Sequence, residues 1–170
     1  MSINVCQAEE VSAKDADEIV KVIHKFTDNL STNSISVIEN IHPSSVHSMR
    51  LILERKLKWI ESQVKAFPET IGMPSNRDGI SDVEYITMVL KYAFEKAPKD
   101  FEVQNRASIR IRGMIKDDEG VYVVYSLPSA ENGFTEPATI SMRKIDGKWK
   151  VNSIILTKTI EEIWKLVANK

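Results

Sequence analysis

Side chains able to do chemistry are few in this chain. His42 and His47 stand five apart, separated by Pro43-Ser44-Ser45-Val46, and a metal set would need His24 or Asp78 to complete it. Histidine pairs that bind zinc from one helix face sit three or four apart. A spacing of five does not fit that face, and with a turn between them no bound metal is predicted. Their expected roles are a helix cap or a solvated imidazole. Ser44, Ser45 and Cys6 are candidate nucleophiles, but each needs a base and an orienting acid nearby. No Gly-x-Ser-x-Gly elbow and no glycine-rich phosphate loop is present, so no cofactor is expected.

A second group is basic. Arg106, Arg110 and Arg112 alternate along one stretch with Lys116 at its end, and Arg143 and Lys150 extend the set. Such a stripe suits a solvated face that deters strand pairing, an interface with a protein, or an anion or nucleic-acid surface. Aromatics that stack on single strands are sparse there, and nucleic acid is not expected. A third group is aromatic and apolar. Phe101, Tyr125, Met142 and Trp149 fall on what reads as an inner face, with Phe134 on a loop above it. These five are the candidate pocket for a small apolar or amphipathic ligand, and they are equally what a plain core would contain.

The elements that must position these groups change period halfway along. Ile19, Ile23, Phe26 and Leu30 recur at four, three and four, which predicts a helix over 13–31 capped by Ser12 or Asp15. A short helix is expected over 35–41. A longer one is expected over 46–67, capped by Ser44 or Ser45, with Met49, Leu53, Leu57, Ile60, Val64 and Phe67 inward and Trp59 on its flank. Pro68, Gly72, Pro74 and Asp78-Gly79 mark 67–79 as a loop. Ser81-Asp-Val-Glu84 is a capping box that opens a helix over 82–96, with Val83, Ile86, Leu90, Ala93 and Phe94 as its stripe.

Beyond residue 100 the pattern alternates. A strand over 103–115 places Ile109, Ile111 and Ile115 on one face and the arginines on the other. A three-residue loop with Gly120 in the left-handed region would pair odd positions with odd, so that Val121, Val123, Tyr125 and Leu127 join Ile111 and Ile115. Asp146-Gly147 between alternating segments predicts a type I′ hairpin, with Lys144 opposite Trp149, Met142 opposite Val151, Ile140 opposite Ser153 and Ala138 opposite Ile155. A second capping box, Thr159-Ile-Glu-Glu162, predicts a last helix over 160–169. Helices first and an antiparallel sheet after them, ending near 157, make an α+β domain.

Composition bounds the rest. The chain has 170 residues, 42% of them hydrophobic, and a net charge of −1, which suits one domain with its own core and no chain-wide polyanion or polycation partner. Residues 1–12 are expected to be a flexible N-terminal segment and 13–170 a single domain. One cysteine excludes an intramolecular disulfide framework. No apolar run reaches a membrane span, and Met1 to Val5 lack the features of a signal peptide. Cys6 followed by Gln7-Ala8-Glu9-Glu10 invites a lipoprotein reading, but Val5 stands where a small residue is wanted. The expected compartment is cytoplasmic, with no membrane contact.

The order of elements, closing on Ile140-Ser-Met-Arg-Lys-Ile-Asp-Gly-Lys-Trp-Lys-Val151, resembles the NTF2-like (cystatin-like cone) superfamily over about 13–157. The resemblance implies a curved sheet wrapping a long helix, a pocket at the wide end of the cone, and a homodimer through the outer sheet face. On that face Arg110, Arg112, Tyr122 and Arg143 are the expected interface residues. The two helices of 44–97 and the terminal helix depart from the family's usual plan and would fill or cover the pocket. Isomerases of this family use a carboxylate base with a tyrosine, and the first helix here carries no tyrosine, so no catalytic residue carries over. The inner strand faces offer only Tyr125 and Lys144 as titratable groups. A non-catalytic binding module is therefore expected, the alternative being an isomerase or dehydratase acting on a small hydrophobic substrate.

Overall fold

A computed structural model describes residues 10–32, 34–63, 77–96, 109–129 and 133–168 of the chain. Helix α1 spans Ala13–Ser31 as its spacing predicts, and Ser12 is the cap that forms, its Oγ accepting from Asp15 N at 3.1 Å. Ile19, Ile23, Phe26 and Leu30 are all buried. Each contributes about 1.5–3 kcal/mol through the apolar surface it removes from water.

The short helix is a single 3₁₀ stretch, Ile35–Asn40. The chain then runs beside the last strand. Ile41 bridges Val151 in parallel, and His42 N donates to Val151 O at 2.8 Å. Helix α2, Pro43–Gln63, starts three residues before the expected 46. Neither Ser44 nor Ser45 is its cap. Pro43 takes the first helical position, where a missing N–H costs nothing, and His42 caps from outside. The His42 carbonyl accepts from Ser45 N and Val46 N, and its Nδ1 accepts from Ser44 N at 3.2 Å. Met49, Leu53 and Leu57 are buried as predicted, while Trp59 is exposed. Val64, Phe67 and the expected loop up to residue 76 lie outside the described residues.

Helix α3, Asp82–Lys96, opens on the predicted capping box, with Glu84 N donating to Ser81 Oγ at 3.2 Å and Ser81 N to Glu84 Oε2 at 3.0 Å. Its buried side is Tyr85, Ile86, Val89, Leu90, Tyr92 and Ala93. Val83 does not belong to it; in the first turn, ahead of the packed region, it is exposed.

Among the described residues six strands follow: β1 Arg110–Lys116, β2 Val121–Ser126, β3 Pro128–Ser129, β4 Gly133–Phe134, β5 Ala138–Ile145 and β6 Lys148–Asn152. Four make an antiparallel sheet in the order β1-β2-β5-β6, and β3 pairs with β4 apart from it. The expected strand start at 103 falls on residues 103–108, outside the described residues. The β5–β6 turn is the predicted one, with Asp146 at φ 50° and Gly147 at φ 74°. Lys144 faces Trp149 and Met142 faces Val151, as expected.

Three expectations about the sheet are corrected. The β1–β2 register shifts at a bulge between Ile111 and Gly113. Ile111 faces Tyr125 as predicted, but past the bulge Met114 faces Val123 and Ile115 faces Tyr122. Ile115 therefore turns outward and Met114 packs inward, because one extra residue in one strand reverses every later side chain. Gly120 is not left-handed: among the described glycines Gly79 and Gly147 alone have positive φ. A side chain at Gly120 would instead meet Met142 O, 2.2 Å from an added Cβ. Asp117 shapes that loop, its Oδ1 accepting from Glu119 N at 2.8 Å and Gly120 N at 2.9 Å.

Third, β6 ends at Asn152. Ile155 enters helix α4, Ile155–Ala168, so the pairs Ile140–Ser153 and Ala138–Ile155 do not form and the helix begins before 160. Ser153 Oγ accepts from Ile155 N at 3.2 Å and starts the helix; Thr159 lies inside it. Leu156, Ile160 and Trp164, spaced by four, are its buried side. One core joins α1, α2, α3, α4 and the inner sheet face. The architecture is α+β, helices with a four-strand antiparallel sheet.

Candidate functional site

The inner face of the sheet is packed. Tyr125 and Trp149 are each 8% exposed and Met142 is 0%. These three of the five candidate pocket residues lie on β2, β6 and β5 among Val121, Val123 and Val151 in one core. Phe101 lies outside the described residues, and Phe134 is placed by its backbone in β4. Trp149 Nε1 donates to Asp15 Oδ1 at 2.9 Å, and Lys144 Nζ reaches the same oxygen at 2.5 Å while lying 5.0 Å over the indole ring. The Lys144 hydrogen bond, then those from Trp149 and Ser12, hold the Asp15 carboxyl at about 2. Lys144 is therefore tied to the start of α1.

The basic set does not form one stripe. Arg106 lies outside the described residues. Arg110 and Arg112 are exposed on the outer face, but the bulge turns Lys116 to the side of Met114 and Val121. Arg112 Nε donates to Ser126 Oγ at 3.4 Å. Arg143 and Lys150 do stand opposite each other, and each finds a partner within the chain. Arg143 pairs with Glu119, and Lys150 Nζ donates to Glu39 O.

The histidines separate. His24 is exposed on α1. His47 Nδ1 bonds Asp82 Oδ2 at 2.8 Å and has no contact with His42. Asp82 also accepts from Arg50 at 3.0 Å, and His47 first, then Arg50, pull its carboxyl below the ordinary range. Arg50 holds Glu54 at 2.8 Å, and Arg77 pairs with Glu61. This ion-pair lattice fastens α2 to the turn before α3, with the Tyr85 hydroxyl buried beside it and pushed up to about 12, chiefly by burial. Among the described residues no group of three His, Cys, Asp or Glu gathers to hold a metal.

His42 lies 2.7 Å from Ser44 Oγ through Nδ1. That is the contact a serine nucleophile needs, but the same nitrogen accepts the Ser44 N–H, and no carboxylate orients the ring among the described residues. Burial, then the charge of Arg143, lowers the His42 pKa. The pair is a neutral cap at the start of α2.

Beside that cap an open cleft of about 420 Å³ lies over the outer face of the sheet. Ser44, Ser45 and Ser48 form one wall from the first turns of α2. Tyr122, Thr139, Ser141 and Asn152 form the floor, and Ser153 and Ile154 close the end. Ser45 Oγ donates to Asn152 Oδ1 at 2.7 Å and joins wall to floor. No charged residue lines it. Of these residues the sequence points to Ser44 and Ser45 as cap or nucleophile candidates and to Tyr122 and Ile154 on the outer face. The Asp146-Gly147 register already set Ser141 opposite Asn152; no turn signal set Tyr122 opposite Ser141. Among the described residues no helix is long and apolar enough to cross a membrane. Comparison with protein-family models, with curated proteins and with solved structures finds no match to this chain.

Proposed function

We propose that this chain is a non-catalytic binding module that works through the outer face of its sheet. The observation that carries this reading is the contrast between the faces. Val121, Val123, Met142 and Val151 on the inner face are fully buried, while Ile115, Tyr122 and Ile154 stay exposed on the other side, the last two lining an open polar cleft. Apolar groups exposed together around a concavity mark a recognition surface. An isomerase or dehydratase would need a carboxylate base aimed into the core. Among the described residues the buried polar and charged ones are Thr27, Asn40, Ser45, Ser126 and Thr157, with no acid among them.

The NTF2-like resemblance names a second copy of the chain as the partner on this face. Arg110, Arg112, Tyr122 and Arg143 are its residues, and Ile115, turned outward by the bulge, joins them. Light scattering at micromolar concentration tests it. Twice the 19.3 kDa of one chain is expected, with return to a monomer on Arg112→Glu with Tyr122→Glu. A monomer at every concentration would refute the second copy, and a dimer that survives both changes would move the interface onto the helices.

A further inference from the structure

We propose that the hydroxyl-walled cleft on the outer sheet face binds a neutral polyhydroxylated ligand, a saccharide unit in chemical terms. The inference rests on the outer face being the working surface and adds a ligand class; because a second copy would cover the same Tyr122, ligand and self-association compete for it.

The register carries the argument. Tyr122 lies directly opposite Ser141 on β5, and Ser141 directly opposite Asn152 on β6, so three polar side chains cross three strands in one row. The hydroxyls of Tyr122 and Ser141 have no hydrogen-bond partner among the described residues. The Asn152 carbonyl oxygen accepts from Ser45 at 2.7 Å and from Ser44 at 3.4 Å, which leaves the two N–H donors of the amide for a ligand. A hydroxyl both donates and accepts. An array of such groups matches a ligand whose own groups do both without a charge to bury, which a sugar hydroxyl does; an ammonium only donates, and a phosphate brings a net charge.

Charged ligands fit poorly for a further reason. No Lys, Arg, Asp or Glu lines the cleft. The backbone amides at the start of α2, the usual cradle for an anion, are already used: Ser44 N bonds His42 Nδ1, and Ser45 N and Val46 N bond His42 O. A phosphate there would give up hydration for hydroxyls and one side-chain amide, with no cation to offset its charge. A wholly apolar ligand would strip water from the polar row and leave it unpaired. The Tyr122 ring and Ile154, 36% and 45% exposed, offer apolar surface for the C–H face of a pyranose. The volume falls within the range of about 300–1,000 Å³ usual for small-molecule sites.

Saturation-transfer difference NMR with methyl glucoside, maltose and N-acetylglucosamine tests this, with inorganic phosphate as competitor and light scattering on the same samples. Transfer to the ring protons of at least one sugar is expected, indifferent to phosphate. Affinity should fall about tenfold or more in Asn152→Ala and in Ser141→Val, the order of one well-made hydrogen bond. Tyr122→Phe should weaken binding less than Tyr122→Ala, since it keeps the ring; circular dichroism identifies any variant that fails to fold, and the remaining ones then decide. Silence from all three sugars, displacement by phosphate, or full binding in both Asn152→Ala and Ser141→Val would overturn the site. Sugar silence with self-association still sensitive to Tyr122→Glu would sink the ligand and spare the outer face; loss of both would sink both.

Discussion

The β5–β6 and β1–β2 hairpins belong to one sheet, but their registers are held by different forces. In β5–β6 a two-residue turn with both residues at positive φ sets the pairing locally, and every pair to Asn152 follows from it. In β1–β2 the loop is longer, and it is shaped by the Asp117 carboxylate and by the close approach of Gly120 to β5. The bulge at Arg112 then brings Ile111 back to the inner face. A tight turn dictates register from within the hairpin; a longer loop leaves it to the neighbouring strand and the core.

Substitutions test that contrast. The largest effect is expected at Trp149, where the β5–β6 register places a large side chain against the core and Asp15. Trp149→Ala should cost about 3–5 kcal/mol in chemical denaturation, and a loss below about 1 kcal/mol would remove the indole from the core. Gly120→Ala should cost about 1–3 kcal/mol, since the added methyl meets backbone that must move. If urea midpoints are unchanged, β5 does not hold the β1–β2 loop. Gly147→Ala should cost about 1–2 kcal/mol, because φ of 74° penalises an L side chain although nothing crowds it.

The bulge predicts a pair of unequal effects. Ile115→Lys should stay within about 0.5 kcal/mol of the parent and Met114→Lys should exceed that clearly. Equal losses, or the reverse order in thermal melts, would restore unbroken alternation. The smallest effect concerns acid. Asp15 titrates at about 2 in the folded chain, below its ordinary 3.8, so the stability it contributes is present above about pH 4 and lost as pH falls through 2. Asp15 is accessible to solvent, and screening keeps this contribution small. Asp15→Asn should flatten the stability profile between those pH values; an unchanged slope would mean that Lys144 and Trp149 do not engage the carboxylate.

What the sequence made legible was whatever depends on neighbours along the chain. The stripe of α1, the capping box at Ser81 and the turn at Asp146-Gly147 each involve residues a few positions apart, and each appears where expected. What escaped depends on contacts made in space. Pro43 serves as the first helical residue, so the helix starts ahead of the serines that could cap it. Ile154-Ile155-Leu156 suits period two as well as period four, and Ser153 tips it to helix. The extra residue at Arg112 is invisible in a run of alternating side chains. The cleft was hidden for the same reason: its floor needs the β2–β5 register, and its wall needs α2 to begin at Pro43 beside β6.

The Ile41–Val151 bridge has a consequence for synthesis of the chain. Helices α1 and α2 leave the ribosome first, but what fixes their ends comes last. Asp15 waits for Trp149, 134 positions on, and Ser45 for Asn152, 107 positions on. Until residues 148–168 emerge, α1 lacks strand β6 and α2 lacks helix α4, elements each packs against. The nascent helical half is thus an adhesive intermediate, whose exposure time is set by translation rate and by the slow closure of long-range contacts. Slow codons just before residue 138 would prolong that exposure, and fast ones would shorten it.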